Sequence, residues 1–300
     1  MKNDRTGTGI RNVGIGDRLF AALQYLLPKH LLSRLVYALA RCERTFVKNT
    51  LLRMFLRGYR VDMDEAAQSN PFAYRSFNHF FTRALRPDAR PIDASPQVVV
   101  SPVDGTISQC GMLENDRLLQ AKGHDYSLLE LLGGDERRVA TYRGGSFACI
   151  YLAPYNYHRI HMPCEGTLRG NLYVPGDLFS VNAATARAVP RLFARNERLI
   201  CEFETPFGPM ALILVGALFV GSMETVHCGE VNPAPRLRKA PQPIQDGIGR
   251  TFGKGEELGR FNMGSTVLIL FQRDRIAWDR ALVSHSTVRL GRPVGRCSRA

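Results

Sequence analysis

Ser265 follows Gly264 and heads the apolar run Val267-Leu268-Ile269-Leu270-Phe271. A serine hydroxyl is a poor nucleophile until a base takes its proton. The carbonyl carbon nearest to it belongs to Gly264, and attack there exchanges an amide for an ester. Glycine at that position tolerates backbone geometries that other residues resist and leaves no Cβ in the path of attack. Loss of the Ser265 α-proton then expels the Gly264 carboxylate. The serine becomes dehydroalanine, which hydrolyses to a pyruvoyl group. Taken alone, Gly-Ser is also an ordinary turn entering a strand.

Two further segments carry groups that such chemistry needs. Tyr157-His158-Arg159-Ile160-His161-Met162-Pro163 brings two imidazoles three residues apart. That spacing puts them on opposite faces of a strand or on one face of a turn or helix. Two histidines can ligate a metal, but zinc takes three or four ligands and no Cys/Asp/Glu set stands nearby. We therefore read them as proton carriers and expect no metal. Ser101-Pro102-Val103-Asp104-Gly105 places a carboxylate in a turn after an apolar stretch. Asp104 either bonds its own turn or holds a histidine in the correct tautomer.

These segments need a scaffold, and the chain is long enough to build one. It has 300 residues and a net charge of +13. Residues 1–60 hold 12 Lys/Arg against 3 Asp/Glu, residues 281–300 hold 4 Arg and no acid, and 61–280 is neutral. The basic excess belongs to the two ends and not to a central groove; nucleic acid is one partner for basic ends, and an anionic lipid surface is another. Seven cysteines (Cys42, Cys110, Cys149, Cys164, Cys201, Cys228 and Cys297) form an odd set without a C-x-x-C pair. They read as reduced thiols of a cytoplasmic protein. No secretion signal is expected. The longest apolar run, Met210 to Gly221, is shorter than the ~18–20 residues of a membrane span. Membrane contact is expected to be peripheral, on the cytoplasmic side of the cell membrane.

Residues 1–16 read as a mobile lead-in. From Asp17, a candidate N-cap, Leu19, Phe20, Leu23, Leu26 and Leu27 share one helical face. Pro28 interrupts, and Leu31, Leu32, Leu35, Val36 and Leu39 continue the stripe. Phe46, Val47, Leu51, Met54 and Phe55 follow, flanked by Lys48, Arg53 and Arg57. Such helices either pack on the core or lie in a lipid interface, and the concentrated positive charge favours the interface. Asp62, Asp64 and Glu65 are expected to open a short helix, and His79 to be structural. From Val98 to about Leu282, short apolar runs alternate with Gly/Pro turns, the pattern of a mainly β domain. Ser127–Leu132 and Asn182–Val189 suggest short helices, Asn232–Gly255 a surface loop, and the last fifteen residues a basic, poorly ordered tail. The expected class is α+β: amphipathic N-terminal helices (1–66), a mainly antiparallel β catalytic domain of barrel or sandwich type (67–290), and a tail (291–300).

Several motifs in order resemble the pyruvoyl-dependent phosphatidylserine decarboxylases of the bacterial membrane-associated type. They are Ser101–Gly105, Tyr157–Pro163, Tyr173–Asn182, Leu192–Arg198, Phe207–Met210, Val220–Val226 and Gly259–Thr266, and the likeness runs from about Phe77 to Leu290. The family has Leu where this chain has Met263, a swap close in volume. The resemblance implies Ser265 as cleavage and pyruvoyl residue, and Asp104 and His161 as its self-processing partners. It implies His158 in the decarboxylation. Cleavage between Gly264 and Ser265 would yield a β piece, 1–264, and an α piece, 265–300, that stay associated, with a dimer of αβ units expected. The pyruvate-derived ketone would accept electrons through an imine with the substrate amine. Phosphatidylserine and an anionic membrane surface are the expected partners, with no nucleic acid. Two other readings stay open on the residues: a serine hydrolase with an Asp104–His161–Ser265 triad, though without a G-x-S-x-G elbow, and a non-enzymatic membrane-docking protein.

Overall fold

The structure, a computed structural model, describes residues 14–121, 124–219, 222–231, 240–263 and 265–298. Gly264, the lead-in up to residue 13, Val220-Gly221 and residues 232–239 therefore lie outside the described residues.

Helices α1 (Ile15–Leu26), α2 (Lys29–Arg41) and α3 (Thr45–Gly58) open the described chain. Pro28 separates the first two, as its missing amide requires. Their amphipathicity is turned outward. Leu26 is 83% exposed, Leu31 64% and Phe46 82%, while Gln24, Lys29, Ser33 and Lys48 are buried. The inward polar groups are bonded to the β domain, which removes the cost of desolvating them. Gln24 donates to Thr185 Oγ1 at 3.1 Å and accepts the Ser180 amide at 2.8 Å. Lys48 Nζ donates to the Phe72 and Tyr74 carbonyls at 2.7 and 3.0 Å, and Arg41 pairs with Glu230. Arg41 and Lys48 thus serve the interior, while Arg34, Arg44, Arg53 and Arg57 remain exposed.

The β domain is built on a nine-stranded sheet in which every pairing is antiparallel. Strand Thr266–Phe271 lies inside it, between Ser146–Tyr151 and Gly208–Val215, with all six residues buried. A strand covered on both faces reads as a continuous apolar run, because alternate side chains enter two different cores. Leu268 and Leu270 join a core covered by the short helices Leu128–Leu131 and Ala183–Ala188. Val267, Ile269 and Phe271 join the opposite core. There they meet residues of a four-stranded sheet, which includes Glu257–Phe261 and Arg159–His161, and of a three-stranded sheet. Among the described residues the large sheet does not close into a barrel: it ends at Gln242–Ile244 and Thr287–Val288.

Four local expectations are corrected. Helix α1 starts at Ile15 with Gly14 as its cap residue, and Asp17 sits in its first turn, paired with Arg187. Residues 61–65 form no helix, because the Glu65 carboxylate is drawn to Arg90 and Arg289. The expected loop 232–255 contains strands Gln242–Ile244 and Thr251–Phe252, which complete the edge of Gly166–Val174 and bury Phe252. The expected C-terminal tail contains strand Pro293–Cys297, the middle of the three-stranded sheet, where Val294 is buried. Its positive charge does not exclude a strand, since Arg296 points outward while Val294 and Gly295 are buried.

Candidate active site

Backbone pairing brings the candidate segments to one end of the large sheet. Tyr151 faces Thr266 on one side and Thr106 on the other. Ser265 immediately precedes the first of these and Asp104 stands two residues before the second. The Ser265 carbonyl accepts the Leu152 amide at 2.9 Å, continuing the ladder past Tyr151. The histidine segment is tied to both. The His161 amide donates to the Pro102 carbonyl at 2.9 Å, and the Phe261 amide to the His158 carbonyl at 3.0 Å. The bond expected to break thus lies in the short connection from Glu257–Phe261, in the small sheet, to Thr266–Phe271, in the large one.

That connection is gripped on its upstream side. Asn262 is buried, its side chain accepts from Asn78 Nδ2 at 3.1 Å and donates to Ser222 Oγ at 2.8 Å, and its amide donates to the Ser222 carbonyl at 3.0 Å. Asn78 comes from the short helix α4 (Phe77–Phe81). Ser265 is fully buried, and among the described residues its Oγ has no hydrogen-bond partner. An unpaired buried hydroxyl costs about 1–3 kcal/mol, so its retention calls for a role.

The two histidines have different surroundings. His158 is fully buried against the Phe81 ring, with centroids 4.1 Å apart. Its Nδ1–H donates to the Asn156 carbonyl at 2.9 Å, which leaves Nε2 as a bare lone pair, buried and without a partner. Burial pushes its pKa down to about 3, and the charge of Arg83 works in the same direction, so the ring is neutral. His161 donates from Nδ1 to the Gly255 carbonyl at 2.8 Å and accepts at Nε2 from the Tyr157 hydroxyl at 3.0 Å. Burial lowers its pKa as well.

Asp104 does not bond to His161 in this arrangement. Arg90 holds its carboxylate with Nε at 3.0 Å and Nη2 at 2.6 Å, and the Leu290 amide donates to Oδ1 at 2.9 Å. Arg90 also reaches Glu65 at 2.7 Å. Burial opposes the Arg90 charge, but the hydrogen bonds it donates to Asp104 and Glu65 outweigh that and raise its pKa. The same Arg90 bond holds the Glu65 carboxyl below its usual range. Asp104, His158, His161 and Ser265 are therefore neighbours through their backbones, with no side-chain relay among them.

A cavity of 520 Å³ opens beside Met263, the last described residue before the expected cleavage point. Its walls include Phe55 and Tyr59 from α3 and its C-cap, Phe81, Tyr155 and Phe219. Helix α3 thus contributes directly to the space beside Met263. Among the described residues no group of three or more His, Cys, Asp and Glu could hold a metal ion.

Sequence reading missed Arg90, Tyr157 and the Asn78–Asn262–Ser222 grip. Arg90 was hidden in Arg86-Pro87-Asp88-Ala89-Arg90-Pro91, which has the composition of a plain turn. Tyr157 stands inside the quoted histidine motif, but its bond to His161 has no sequence signature.

Comparison with known proteins defines the class. The sequence model of the phosphatidylserine decarboxylase family matches residues 77–296, and a second model, described as PSD, matches 19–60. The chain belongs to the phosphatidylserine decarboxylase family. It is 50% identical over 289 residues to the phosphatidylserine decarboxylase proenzyme of Stutzerimonas stutzeri (strain A1501), covering 94% of this chain and 95% of that one. It is 52% identical over 280 residues to the protein of the same name from Ectopseudomonas mendocina (strain ymp), covering 93% and 98%. With that of Bordetella pertussis (strain Tohama I) it shares 52% over 278 residues, covering 92% and 93%.

Proposed function

We propose that this chain is a self-processing decarboxylase that converts phosphatidylserine to phosphatidylethanolamine with a pyruvoyl group made from Ser265. The observation that carries the reading is the buried Ser265 hydroxyl, unpartnered among the described residues, at the head of a central strand and two residues after Met263, which lines a cavity walled in part by α3. An exposed serine with a bonded histidine would suit a hydrolase. A dry hydroxyl next to its own preceding peptide suits attack on that peptide.

In this reading the chain cleaves between Gly264 and Ser265, with Asp104 and His161 serving the processing step. The Tyr157 hydroxyl must first leave His161 Nε2 before that nitrogen can take a proton from Ser265. The Asn262 grip holds one side of the bond and the sheet ladder at Ser265 holds the other, which supports orientation of the hydroxyl on the carbonyl. The pyruvoyl group supplies an electron sink for the carbanion left by loss of CO2. The surroundings suit that group: a cavity beside Met263 walled mainly by aromatic and aliphatic side chains, and the buried His158 with its Nε2 unpartnered among the described residues. His158 Nε2, neutral near pH 7, is the acceptor and donor of protons for the decarboxylation.

The exposed apolar stripe of α1, α2 and α3, rimmed by Arg34, Arg44, Arg53 and Arg57, suits docking on an anionic membrane. No described helix is long and apolar enough to cross a bilayer. We place the protein peripherally at the cytoplasmic face of the cell membrane, as a dimer of αβ units.

Mass spectrometry of the denatured protein tests the reading. Two pieces of 264 and 36 residues, the shorter with a blocked N-terminus, are expected. An intact single chain with full lipid-decarboxylating turnover would exclude it, as would turnover indifferent to hydroxylamine. Labelling of Ser265 by a fluorophosphonate would indicate a hydrolase instead.

A further inference from the structure

Among the described residues, Arg83 is a buried cation to which no carboxylate is bonded. The residue is 4% exposed, and burial lowers its pKa. Its Nη2 reaches only the Tyr155 carbonyl, at 3.3 Å, its Nε has no partner, and its charge lies 5.7 Å from the Phe80 ring centroid. No carboxylate pairs with it among the described residues. Its neighbour Arg90 is saturated by Asp104 and Glu65, and Arg289 by Glu65. Leaving a guanidinium buried and unpaired costs several kcal/mol, so a site of this kind is complete only with an anion in it.

Position says where that anion sits. Arg83 lines a 230 Å³ cavity together with Asp104, Tyr155 and Tyr157. Tyr155 also lines the 520 Å³ cavity beside Met263, so the two spaces adjoin across one side chain. Arg83 follows, by two residues, the Phe81 ring that packs on His158.

We propose that Arg83 binds the phosphodiester monoanion of the lipid headgroup, fixing the serine moiety between His158 and Ser265. This rests on the decarboxylase reading above. The substrate offers two anions, and chemistry chooses between them. The carboxylate must give up its electron pair in the reaction, and a guanidinium on it would stabilise the ground state more than the transition state. The phosphodiester keeps its charge throughout. An arginine on it therefore lowers KM without changing the chemical step, and the planar fork matches its oxygens.

The test uses the self-cleaved protein with two substrates: dihexanoyl phosphatidylserine, and O-hexanoyl-L-serine, which has the same amine and carboxylate but no phosphate. R83Q is expected to raise KM for the phospholipid about tenfold to a hundredfold while kcat changes less than about threefold. KM for O-hexanoyl-L-serine should change far less, and R83K should fall between R83Q and wild type on the phospholipid. An unchanged phospholipid KM in R83Q, or an equal loss on both substrates, overturns the proposal. Should R83Q not fold, wild type decides: glycerophosphoethanolamine should inhibit competitively and O-acetylethanolamine should not, and equal behaviour of the two overturns it. A wild-type protein inert on phosphatidylserine removes the decarboxylase reading and this inference together. An active wild type with an indifferent R83Q removes this inference alone.

Discussion

Arg90 clasps Asp104 through two nitrogens, Nε at 3.0 Å from Oδ1 and Nη2 at 2.6 Å from Oδ2, so the carboxylate meets the site in one fixed orientation. Asp104 is the acid expected to serve self-processing, which makes Arg90 a positioning residue for that step. R90Q should slow appearance of the 36-residue piece at least about tenfold, since a buried charge-assisted pair is lost. R90K should recover part of the rate. Cell-free synthesis followed over time on a denaturing gel measures this. Cleavage of a soluble R90Q protein at the wild-type rate would show that the clasp has no part in processing.

His158 makes folding stability depend on pH. Its folded-state pKa of about 3 lies far below its unfolded value of 6.5 because burial disfavours the charged ring. Between those values the unfolded chain binds a proton that the folded chain refuses. Stability is therefore full above pH ~6.5 and falls as pH drops toward 3, by at most about 1.4 kcal/mol per pH unit for this group. His161 and His227 are also shifted down by burial and act in the same direction. Urea midpoints of the uncleaved S265A protein at pH 7, 6 and 5 should decline, and H158Q should flatten the decline. A midpoint that holds steady or climbs on acidification contradicts the assignment.

The expected α piece is woven into the rest of the chain. Thr266–Phe271 pairs through six residues with a neighbour on each side, Thr287–Val288 pairs with Gly105–Met112, and Pro293–Cys297 pairs with Val98–Val100. The two pieces should co-elute in native size-exclusion chromatography and separate only in denaturant. L268A, which removes a fully buried side chain from the first of these strands, should cost about 2–5 kcal/mol in the uncleaved S265A background. Separation of the pieces in plain buffer would mean that this pairing does not persist after cleavage.

The outward stripe on the helices is exposed, so it contributes little to folding, and the proposed reading gives it the docking role. Leu26, Leu31 and Phe46 are 83%, 64% and 82% exposed, so charged replacements there leave the core intact. The triple variant L26E/L31E/F46E should lose at least about tenfold in co-sedimentation with phosphatidylglycerol vesicles while its thermal midpoint moves by less than about 3 °C. Vesicle binding equal to wild type would assign docking to another surface.

Much of the architecture was readable because periodicity reports burial. The apolar run at 267–271 announced a strand, and the stripes of 19–55 announced helices. The cleavage proposed at Gly264–Ser265 could be reasoned from sequence because it depends on neighbours in the chain. Local composition fails where a distant partner overrides it: Glu65, expected to open a helix, is held by Arg90, and Pro293–Cys297, expected in a tail, is the middle strand of the three-stranded sheet.

Sequence by itself determined the family, the candidate residues Asp104, His158, His161 and Ser265, and the existence of an apolar helical face. Only tertiary structure decided that this face points away from the protein, that His158 Nε2 and Ser265 Oγ are buried without partners, and that Asp104 answers to Arg90 before His161. The physical reason is range. Side-chain type and spacing encode intrinsic reactivity and which face is apolar, but hydrogen bonding and desolvation are set by groups brought close from distant parts of the chain.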